Sequence, residues 1–335
     1  MKTIGVVGAG SWGVALALHA ARAGKRTLLW ARRAELVEEM RRSRRTPYLD
    51  VTLPPTVEPV AELAALAPCD ALLMVVPSHG FRAVLRDLLR ALPAGAPRVI
   101  VSATKGIEPD SLDRMSAIAA NEAAAAGSPL RFAVLSGPNF AAEVAAGLPS
   151  AAVVASEDAA LCAELLDALG TPALRLYSSS DVVGVELGGA TKNVIAIAAG
   201  VVAGLGLGHN TLALLITRGL HEVTRLGVAC GGRSRTFAGL AGLGDLVLTC
   251  TGDLSRNRRT GLLLAAGKSL PEIVAETSMV AEGVRNSIAI DRFAEAAGVE
   301  MPITRQMVEV LYRDKPPRQA LDDLMRRELK SEDSL

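Results

Sequence analysis

Aromatic residues are scarce in this 335-residue chain, since Phe, Trp and Tyr make up 3% of it although 50% is hydrophobic. Any core must therefore be built from Ala, Val, Leu and Ile. A chain of this length can form two domains with substantial cores. Because no low-complexity linker and no internal repeat interrupts it, we expect domains that pack together rather than tethered ones.

Cysteine is also sparse. Cys69, Cys162, Cys230 and Cys250 are scattered, with no C-x-x-C pair and no His at ligand spacing. This pattern argues against a zinc site and a disulfide framework, so we predict no metal and a reducing, cytoplasmic compartment. Met1 leads directly into a strand-like run, and we expect no signal peptide.

Neither sign of charge is in excess, because 36 Lys and Arg face 35 Asp and Glu. A net charge of +1 argues against a general nucleic-acid binder. The stretch 194–217 carries no formal charge except a possible one on His209, and by length it could span a bilayer. Glycines crowd its centre, among them Gly204 and Gly206. We therefore predict two buried helices joined by a glycine-rich turn.

The first 30 residues follow the order strand, G-x-G-x-x-G, helix, strand. Thr3–Val7 and Thr27–Trp30 are short apolar runs typical of buried parallel strands. Between them Gly8 permits a tight turn, Gly10 lets a pyrophosphate approach the backbone, and Gly13 lets helix and strand pack closely. We predict a dinucleotide whose phosphates meet the N-terminus of the helix.

The residues after the second strand indicate the type of dinucleotide. An acidic residue there would bind the ribose of NAD, but Arg32 and Arg33 occupy the place and the first acid is Glu35. Arginine can grip a 2′-phosphate with two parallel hydrogen bonds. We predict NADP(H), alone or alongside NAD(H). The alternative is that the two arginines belong to a solvated helix start.

Strands and helices alternate up to about residue 180. We predict a basic helix over 34–45, a proline-rich connection around Pro54-Pro55, a helix capped by Ser78, and strands at Asp70–Val76, Arg98–Ser102, Arg131–Leu135, Ala151–Ala155 and Arg175–Ser178. In open α/β sheets, ligands bind beyond the carboxyl ends of the strands. Lys105 and the turn 136–139 both fall there. Lys105 could also be an ordinary loop cation.

From Asp181 onward the pattern shows only helical runs separated by glycine-rich turns, so we predict domains at 1–180 and 181–335. Read as a helix, Glu186–Val194 places Gly188 and Gly189 on the same face as Lys192. Such a face suits either the approach of a flat ligand or a helix-packing groove.

Two further segments of the helical half carry polar groups. Asp245 lies in the glycine-rich run 239–246. Ser255, Arg256 and Asn257 follow in a polar, basic stretch. Their donors suit a phosphate or carboxylate ligand, although a solvated charge run fits as well.

In this order and spacing the motifs resemble those of bacterial-type NAD(P)-dependent glycerol-3-phosphate dehydrogenases over nearly the whole chain. The segments that carry the resemblance are Gly8–Gly13, Val76–Ser78, Ala103–Gly106, Leu135–Pro138, Glu186–Asn193, Gly239–Asp245, Ser255–Asn257 and Val280–Gly283. The resemblance implies an α/β N-terminal Rossmann-like dinucleotide-binding domain and an all-α C-terminal domain of the 6-phosphogluconate-dehydrogenase-like type. It also implies reversible reduction of dihydroxyacetone phosphate to sn-glycerol 3-phosphate, which feeds phospholipid synthesis.

The family pattern assigns roles residue by residue. The implied cofactor contacts are Gly8, Gly10, Ser11, Trp12, Gly13, Arg32, Arg33, Tyr48, Lys105, Ala141, Arg256, Val280 and Glu282. The implied substrate contacts are Lys105, Gly137, Asn139, Lys192, Asp245, Ser255, Arg256 and Asn257, with Lys192 as the general acid/base. Asn139 stands where the family usually has Ser or Thr, and His209, expected in a turn, where it usually has Asp.

Hydride transfer to a ketone leaves negative charge on the carbonyl oxygen, which an acid must protonate. A free lysine, with a pKa of ~10.4, is such an acid at neutral pH. A nearby Asp245 would keep Lys192 charged, whereas the positive charge of a nearby Lys105 would favour loss of the Lys192 proton. Lys105 could also be the acid instead of Lys192. We expect the substrate between the two domains, its phosphate at 255–257, with the glycine face letting nicotinamide and substrate reach Lys192.

Two other interpretations remain open. A β-hydroxyacid or sugar-acid reductase of the same two-domain plan would need a carboxylate site instead of a phosphate site. A non-catalytic dinucleotide sensor would leave no reason for Lys192, Asp245 and Arg256 to occur together. The apolar helices of the second half could bury further surface, so we expect a homodimer with a small phosphorylated substrate and neither nucleic acid nor a membrane span.

Overall fold

A computed structural model describes residues 1–93, 98–276, 281–328 and 331–332. They form two compact units. Unit 1 comprises Met1–Lys105 and Asp113–Val182, and unit 2 comprises Gly106–Leu112 and Val183–Leu335. The short segment Gly106–Leu112, which interrupts unit 1 in sequence, thus belongs with the C-terminal half.

Unit 1 is an α/β unit. Its strands are β1 (Thr3–Val7), β2 (Arg26–Trp30), β3 (Arg45–Thr46), β4 (Leu49–Thr52), β5 (Val57–Val60), β6 (Ala71–Met74), β7 (Arg98–Ser102), β8 (Leu130–Ser136), β9 (Ser150–Ala155) and β10 (Leu174–Ser179). Its helices are α1 (Ser11–Arg22), α2 (Ala34–Ser43), α3 (Ser78–Ala91), α4 (Met115–Ala126), α5 (Ala141–Ala146) and α6 (Ala159–Leu169), with a 3₁₀ turn at Leu63–Leu66.

Eight of these strands form one sheet in the order β10-β9-β8-β7-β6-β1-β2-β5, while β3 and β4 form a hairpin. All neighbours in the sheet run parallel except β8 and β9. Side chains alternate between its faces, so that Leu73 joins one buried cluster and Leu72 another. Because both faces are covered, the central strands β1 and β6 are almost entirely apolar, as the sequence predicts.

Some local predictions in unit 1 are wrong. Helix α2 ends at Ser43, because Arg44 adopts a left-handed φ of 55°. The proline-rich connection contains the β3–β4 hairpin and β5, whose Pro59 is tolerated because this strand lies at the sheet edge. Ser78 is the first residue of α3 rather than its cap, since Pro77 takes the N-cap position.

Unit 2 is helical, with no β-strand in its described part. Its helices are α7 (Val182–Gly204), α8 (Gly208–Ala229), α9 (Ser234–Phe237), α10 (Asp245–Thr251), α11 (Arg256–Ala265), α12 (Leu270–Glu276), α13 (Glu282–Ala296), α14 (Pro302–Tyr312) and α15 (Pro317–Met325). A π-helical turn, Leu240–Gly244, precedes α10. These helices enclose one buried apolar cluster that includes Ile195, Leu226 and Phe237.

Helices α7 and α8 are the predicted pair joined by a glycine turn, in which Gly206 has a left-handed φ of 67°. Among the described helices, α7 by itself is long and apolar enough to cross a membrane, and 89% of its most apolar window is buried in the protein. Helix α8 differs from the prediction, because Leu214 is 44% exposed. His209 is exposed in the first turn of α8 and not in the preceding loop.

Candidate active site

The glycine motif of unit 1 forms the turn between β1 and α1. Gly8 has a left-handed φ of 121°, and a Cβ atom there would lie 2.4 Å from the Val75 carbonyl oxygen. A Cβ atom on Gly13 would lie 1.8 Å from the Gly8 carbonyl oxygen, so helix and turn touch through backbone. A Cβ atom on Gly10 would meet nothing within 4 Å. The space over Gly10 is therefore open to a ligand, as the motif predicts.

The turn also lies at the point where the strand order reverses. Strand β1 is hydrogen-bonded to β6 on one side and β2 on the other, and the chain continues outward from each. Ligands of open α/β sheets bind in the crevice at such a point, beyond the carboxyl ends of the strands. Helix α1 starts here, and Gly10 offers no side-chain cap for its first N–H groups. These groups and the helix dipole favour an anion.

Three of the predicted cofactor residues come together beside the turn. Ser11 Oγ donates to the Tyr48 carbonyl oxygen at 3.3 Å, and Arg33 Nη2 donates to the Tyr48 hydroxyl at 2.7 Å. Arg32 is exposed and has no bonding partner among the described residues. The buried Trp12 indole N–H likewise lacks an acceptor there. The turn, its open space and this orphaned donor fit a dinucleotide with many oxygen acceptors.

The ends of β7 and β8 bring together a second group of predicted residues in unit 1. Lys105 Nζ donates to the Gly137 carbonyl oxygen at 3.1 Å. Asn139 Nδ2 donates to the Ala151 carbonyl oxygen at 3.1 Å, so part of its amide is used to hold the turn against β9. Ala141 begins α5 directly after this turn. The structure thus gives Asn139 an anchoring contact that the sequence did not suggest.

Lys192 is the centre of the polar cluster in unit 2. It projects from α7 and is only 7% exposed. Its Nζ donates to Asp245 Oδ1 at 2.5 Å and to Thr249 Oγ1 at 2.6 Å. Asp245, at the start of α10, is fully buried. The structure therefore joins Lys192 to the carboxylate predicted for it, across 53 residues of sequence.

Sequence reasoning missed Thr249. It lies four residues after Asp245 on α10, and its Oγ1 also donates to the Asp245 carbonyl oxygen at 2.6 Å. The spacing of four residues was the available signal, since it places both side chains on one helical face. Thr249 can accept from Lys192 while it donates to the backbone, so it fixes the lysine from a second side.

The glycines around Lys192 pack helices together. A Cβ atom on Gly188 would lie 2.5 Å from the Ala241 carbonyl oxygen, next to the π-helical turn that leads to Asp245. The prediction that Gly188 admits nicotinamide or substrate is therefore wrong, and the helix-packing alternative is correct for it. Gly189 is buried too. Further along α7, a Cβ atom on Gly200 would lie 1.9 Å from the Arg258 carbonyl oxygen of α11.

The polar stretch 255–257 forms the start of α11. Ser255 is its N-cap, and its Oγ accepts from the Arg258 N–H at 3.2 Å. Arg256 is exposed in the first turn, while Asn257 is buried. The helix end, the guanidinium and the amide supply several donors of the kind that bind phosphate or carboxylate oxygens.

Helix α13 carries one of the last two predicted cofactor contacts. Glu282 is half-buried as the first residue of this helix, and Val280 lies outside the described residues.

Burial raises the pKa of the Cys250 thiol, which follows Thr249 on α10, to about 12. The Cys250 thiol therefore stays protonated at neutral pH, so it lines the lysine site but does not act as a nucleophile. Among the described residues, no cluster of His, Cys, Asp or Glu could hold a metal ion.

Known proteins match both halves of the chain. The family model described as NAD-dependent glycerol-3-phosphate dehydrogenase N-terminus matches residues 3–162, and its C-terminus counterpart matches 181–322. A Geobacter sulfurreducens protein named glycerol-3-phosphate dehydrogenase (NAD(P)+) is 51% identical over 99% of both chains. One of the same name from Solidesulfovibrio magneticus is 46% identical over 98% of this chain and 99% of its own.

A solved structure agrees with the sequence matches. A crystal structure of glycerol-3-phosphate dehydrogenase from Coxiella burnetii has a TM-score of 0.92 and 39% identity, covering 97% of this chain and 99% of its own. Its similarity extends through the Rossmann-like unit and the helical unit alike. The chain belongs to the family of NAD-dependent glycerol-3-phosphate dehydrogenases.

Proposed function

We propose that this chain reduces dihydroxyacetone phosphate to sn-glycerol 3-phosphate with NADPH or NADH, as the names of its relatives suggest. The observation that carries the proposal is the buried Lys192, paired with Asp245 and Thr249 in a chain that also holds a dinucleotide turn. A non-catalytic sensor has no use for such a lysine. Residues 1–180 would bind the cofactor, and residues 181–335 would supply the acid and the phosphate contacts.

The proton comes from Lys192. In the reductive direction the nicotinamide, when bound, supplies the hydride to the carbonyl carbon. Lys192 protonates the carbonyl oxygen as negative charge develops on it. Asp245 stabilises the charged form of Lys192 before the step, and Thr249 fixes the direction of its Nζ. Lys105 is the rival acid, but its Nζ contact with the Gly137 carbonyl supports a role in holding substrate instead.

The start of α11 binds the phosphate of the substrate. Arg256 supplies a guanidinium that can contact two phosphate oxygens, and Asn257 and Ser255 supply amide and hydroxyl donors. Gly137 and Asn139 of unit 1 complete the substrate contacts, with Asn139 using the rest of its amide. A carboxylate-binding reductase would not need this number of donors at one point.

The proposed cofactor contacts fall into three groups of residues. Gly8, Gly10, Ser11, Trp12 and Gly13 surround the pyrophosphate. Arg32, Arg33 and Tyr48 meet the adenosine side, where the guanidinium groups favour a 2′-phosphate. Lys105, Ala141, Arg256, Val280 and Glu282 complete the pocket.

We further propose a cytoplasmic homodimer that supplies glycerol 3-phosphate to phospholipid synthesis. The exposed apolar side chains of unit 2, among them Leu214 and Leu254, support burial of further surface in a dimer. Light scattering on the purified chain measures its mass directly. A monomer at micromolar concentration contradicts the dimer.

The function is tested by following oxidation of NADPH and NADH in parallel with dihydroxyacetone phosphate, with unphosphorylated dihydroxyacetone, and with a β-keto acid. We expect turnover with the phosphorylated ketone and a kcat/KM at least about 100-fold lower with dihydroxyacetone, because a charged hydrogen-bonding site is left empty. Preference for the keto acid would indicate the carboxylate-binding reductase instead.

A further inference from the structure

Three helices of unit 2 meet at a chain of amide contacts. Asn257 of α11 donates through Nδ2 to Asn193 Oδ1 of α7 at 2.9 Å. The backbone N–H of Gly283, in the first turn of α13, donates to Asn257 Oδ1 at 3.0 Å. Asn193 directly follows Lys192 along α7. These contacts connect α7, which carries Lys192, with α11, which carries the predicted phosphate contacts, and with α13, for which we predicted no substrate contact.

The Gly283 N–H fixes which way the Asn257 amide faces. A backbone N–H can only donate, so the atom opposite it must be the amide oxygen. The Asn257 nitrogen must then face Asn193, whose facing atom must be an oxygen. An amide nitrogen carries two hydrogens, and only one is used here. The second has no acceptor among the described residues and remains for a ligand oxygen.

Only glycine at position 283 permits this contact. A Cβ atom there would lie 2.6 Å from the Asn193 carbonyl oxygen and 2.7 Å from Asn257 Oδ1. The next residue is held as well, because the Val284 carbonyl oxygen accepts from the Tyr312 hydroxyl at 2.6 Å. Asn257 and Tyr312 therefore both fix the first turn of α13.

We propose that Gly283 is a positioning residue for substrate recognition, whose N–H orients the Asn257 amide so that its remaining hydrogen is presented to an oxygen of the substrate phosphate. This inference rests on the proposed function and deepens it. Because its amide oxygen accepts from Gly283, Asn257 can only donate a hydrogen bond to the ligand. This suits a phosphate dianion, whose oxygens can only accept hydrogen bonds. Affinity for the phosphate then depends on a helix turn that never touches it.

The inference is tested with Gly283→Ala, which pushes the turn away from Asn257. Gly80→Ala is the matched control, because Gly80 also lies in the first turn of a helix and a Cβ atom there meets nothing within 4 Å. We expect Gly283→Ala to weaken glycerol 3-phosphate binding about 10-fold or more in calorimetry, the equivalent of losing one hydrogen bond to a charged group. Because Glu282, a proposed cofactor contact, directly precedes Gly283, the Kd of NADPH should rise as well, but by less than that of glycerol 3-phosphate, and KM should rise more than kcat falls.

Unchanged glycerol 3-phosphate affinity in a folded Gly283→Ala protein would overturn the inference, and so would an equal loss of NADPH affinity. If Gly283→Ala does not fold, Tyr312→Phe loosens the same turn at a side chain that is 40% exposed. We then expect glycerol 3-phosphate to bind about 2- to 5-fold more weakly, and wild-type affinity overturns the inference. A wild-type protein that binds no glycerol 3-phosphate would instead refute the proposed function.

Discussion

The two units form their sites from different parts of the chain. In unit 1 the backbone forms the site, because the residues that shape its turn are glycines and open space lies over Gly10. Unit 2 offers side chains, because Lys192 is held by Asp245 and Thr249, and Asn257 by Asn193. Glycines occur in both units, but in unit 2 Gly188 and Gly200 bring backbone segments together and leave no open space of the kind found over Gly10.

This difference follows from what each unit has to do. Binding a dinucleotide by its phosphates needs donors and room, which a turn and a helix N-terminus provide without any particular side chain. Protonating a carbonyl oxygen needs one acidic group at one place, so other side chains must fix it. The close helix contacts at Gly188 and Gly200 hold the backbone from which those side chains project.

The largest effect is expected where a buried charge loses its partner. Asp245→Ala removes the carboxylate that pairs with the buried Lys192 at 2.5 Å, which costs about 3–5 kcal/mol of unfolding free energy. Asp253→Ala is the control, because the Asp253 side chain pairs with Arg258 at 2.8 Å but is 94% exposed. Chemical denaturation measures both. Equal stability of the two variants would show that the Lys192–Asp245 pair is not an isolated buried pair.

The pH dependence of stability reports on a second buried carboxylate of unit 2. Burial raises the pKa of Glu222 to about 7, against the opposing effect of hydrogen bonds from the Ile303 and Thr304 N–H groups. The folded protein therefore binds this proton more tightly than the unfolded chain, whose Glu has a pKa of 4.5. Stability from this group is present below pH 4.5 and is lost as the pH rises to about 7.

Glu222→Gln removes that titration. Between pH 4.5 and 7.5 the wild type should lose roughly 3 kcal/mol relative to the variant, at about 1.4 kcal/mol per pKa unit. Denaturation curves at several pH values measure the difference. A difference in stability that stays constant with pH would mean that Glu222 is charged throughout this range.

Gly13→Ala tests the backbone site of unit 1. Its Cβ atom would push α1 away from the Gly8 carbonyl, so we expect NADPH affinity to fall about 100-fold, or about 2.7 kcal/mol. Gly24→Ala is not a suitable control, because Gly24 has a left-handed φ of 75°. Gly80→Ala serves instead. Fluorescence titration measures the affinities, and an unchanged Kd would show that the turn does not hold the cofactor.

Arg33→Ala should have the smallest effect. It removes a guanidinium that could contact a 2′-phosphate, so the Kd of NADPH should rise about 10-fold while that of NADH stays nearly constant. Arg42→Ala on the exposed face of α2 is the control. Equal losses for the two cofactors would assign Arg33 a structural role, through its bond to Tyr48.

The sequence predicted unit 1 better than unit 2 for a physical reason. The Gly8–Gly13 turn is a local pattern whose spacing carries its geometry, and β1 and β7 begin and end as predicted. The cluster around Lys192 joins residues far apart in sequence, and helix periodicity cannot show which helices touch. The sequence and the resemblance both pointed to Asp245, but the contacts of Thr249 and Gly283 became visible only in the structure. The prediction that Gly188 admits a ligand was wrong because close helix packing and ligand access both require a glycine, so the sequence alone does not separate them.

We propose that Lys192 is the acid and that the dinucleotide is held independently of it. The most direct test measures NADPH affinity and turnover of dihydroxyacetone phosphate on one preparation of Lys192→Met, beside Lys268→Met, whose exposed lysine pairs with Glu276 at 2.5 Å. We expect Lys192→Met to lose about 1,000-fold or more in kcat with a nearly unchanged Kd for NADPH. Near-normal turnover in Lys192→Met would contradict the account.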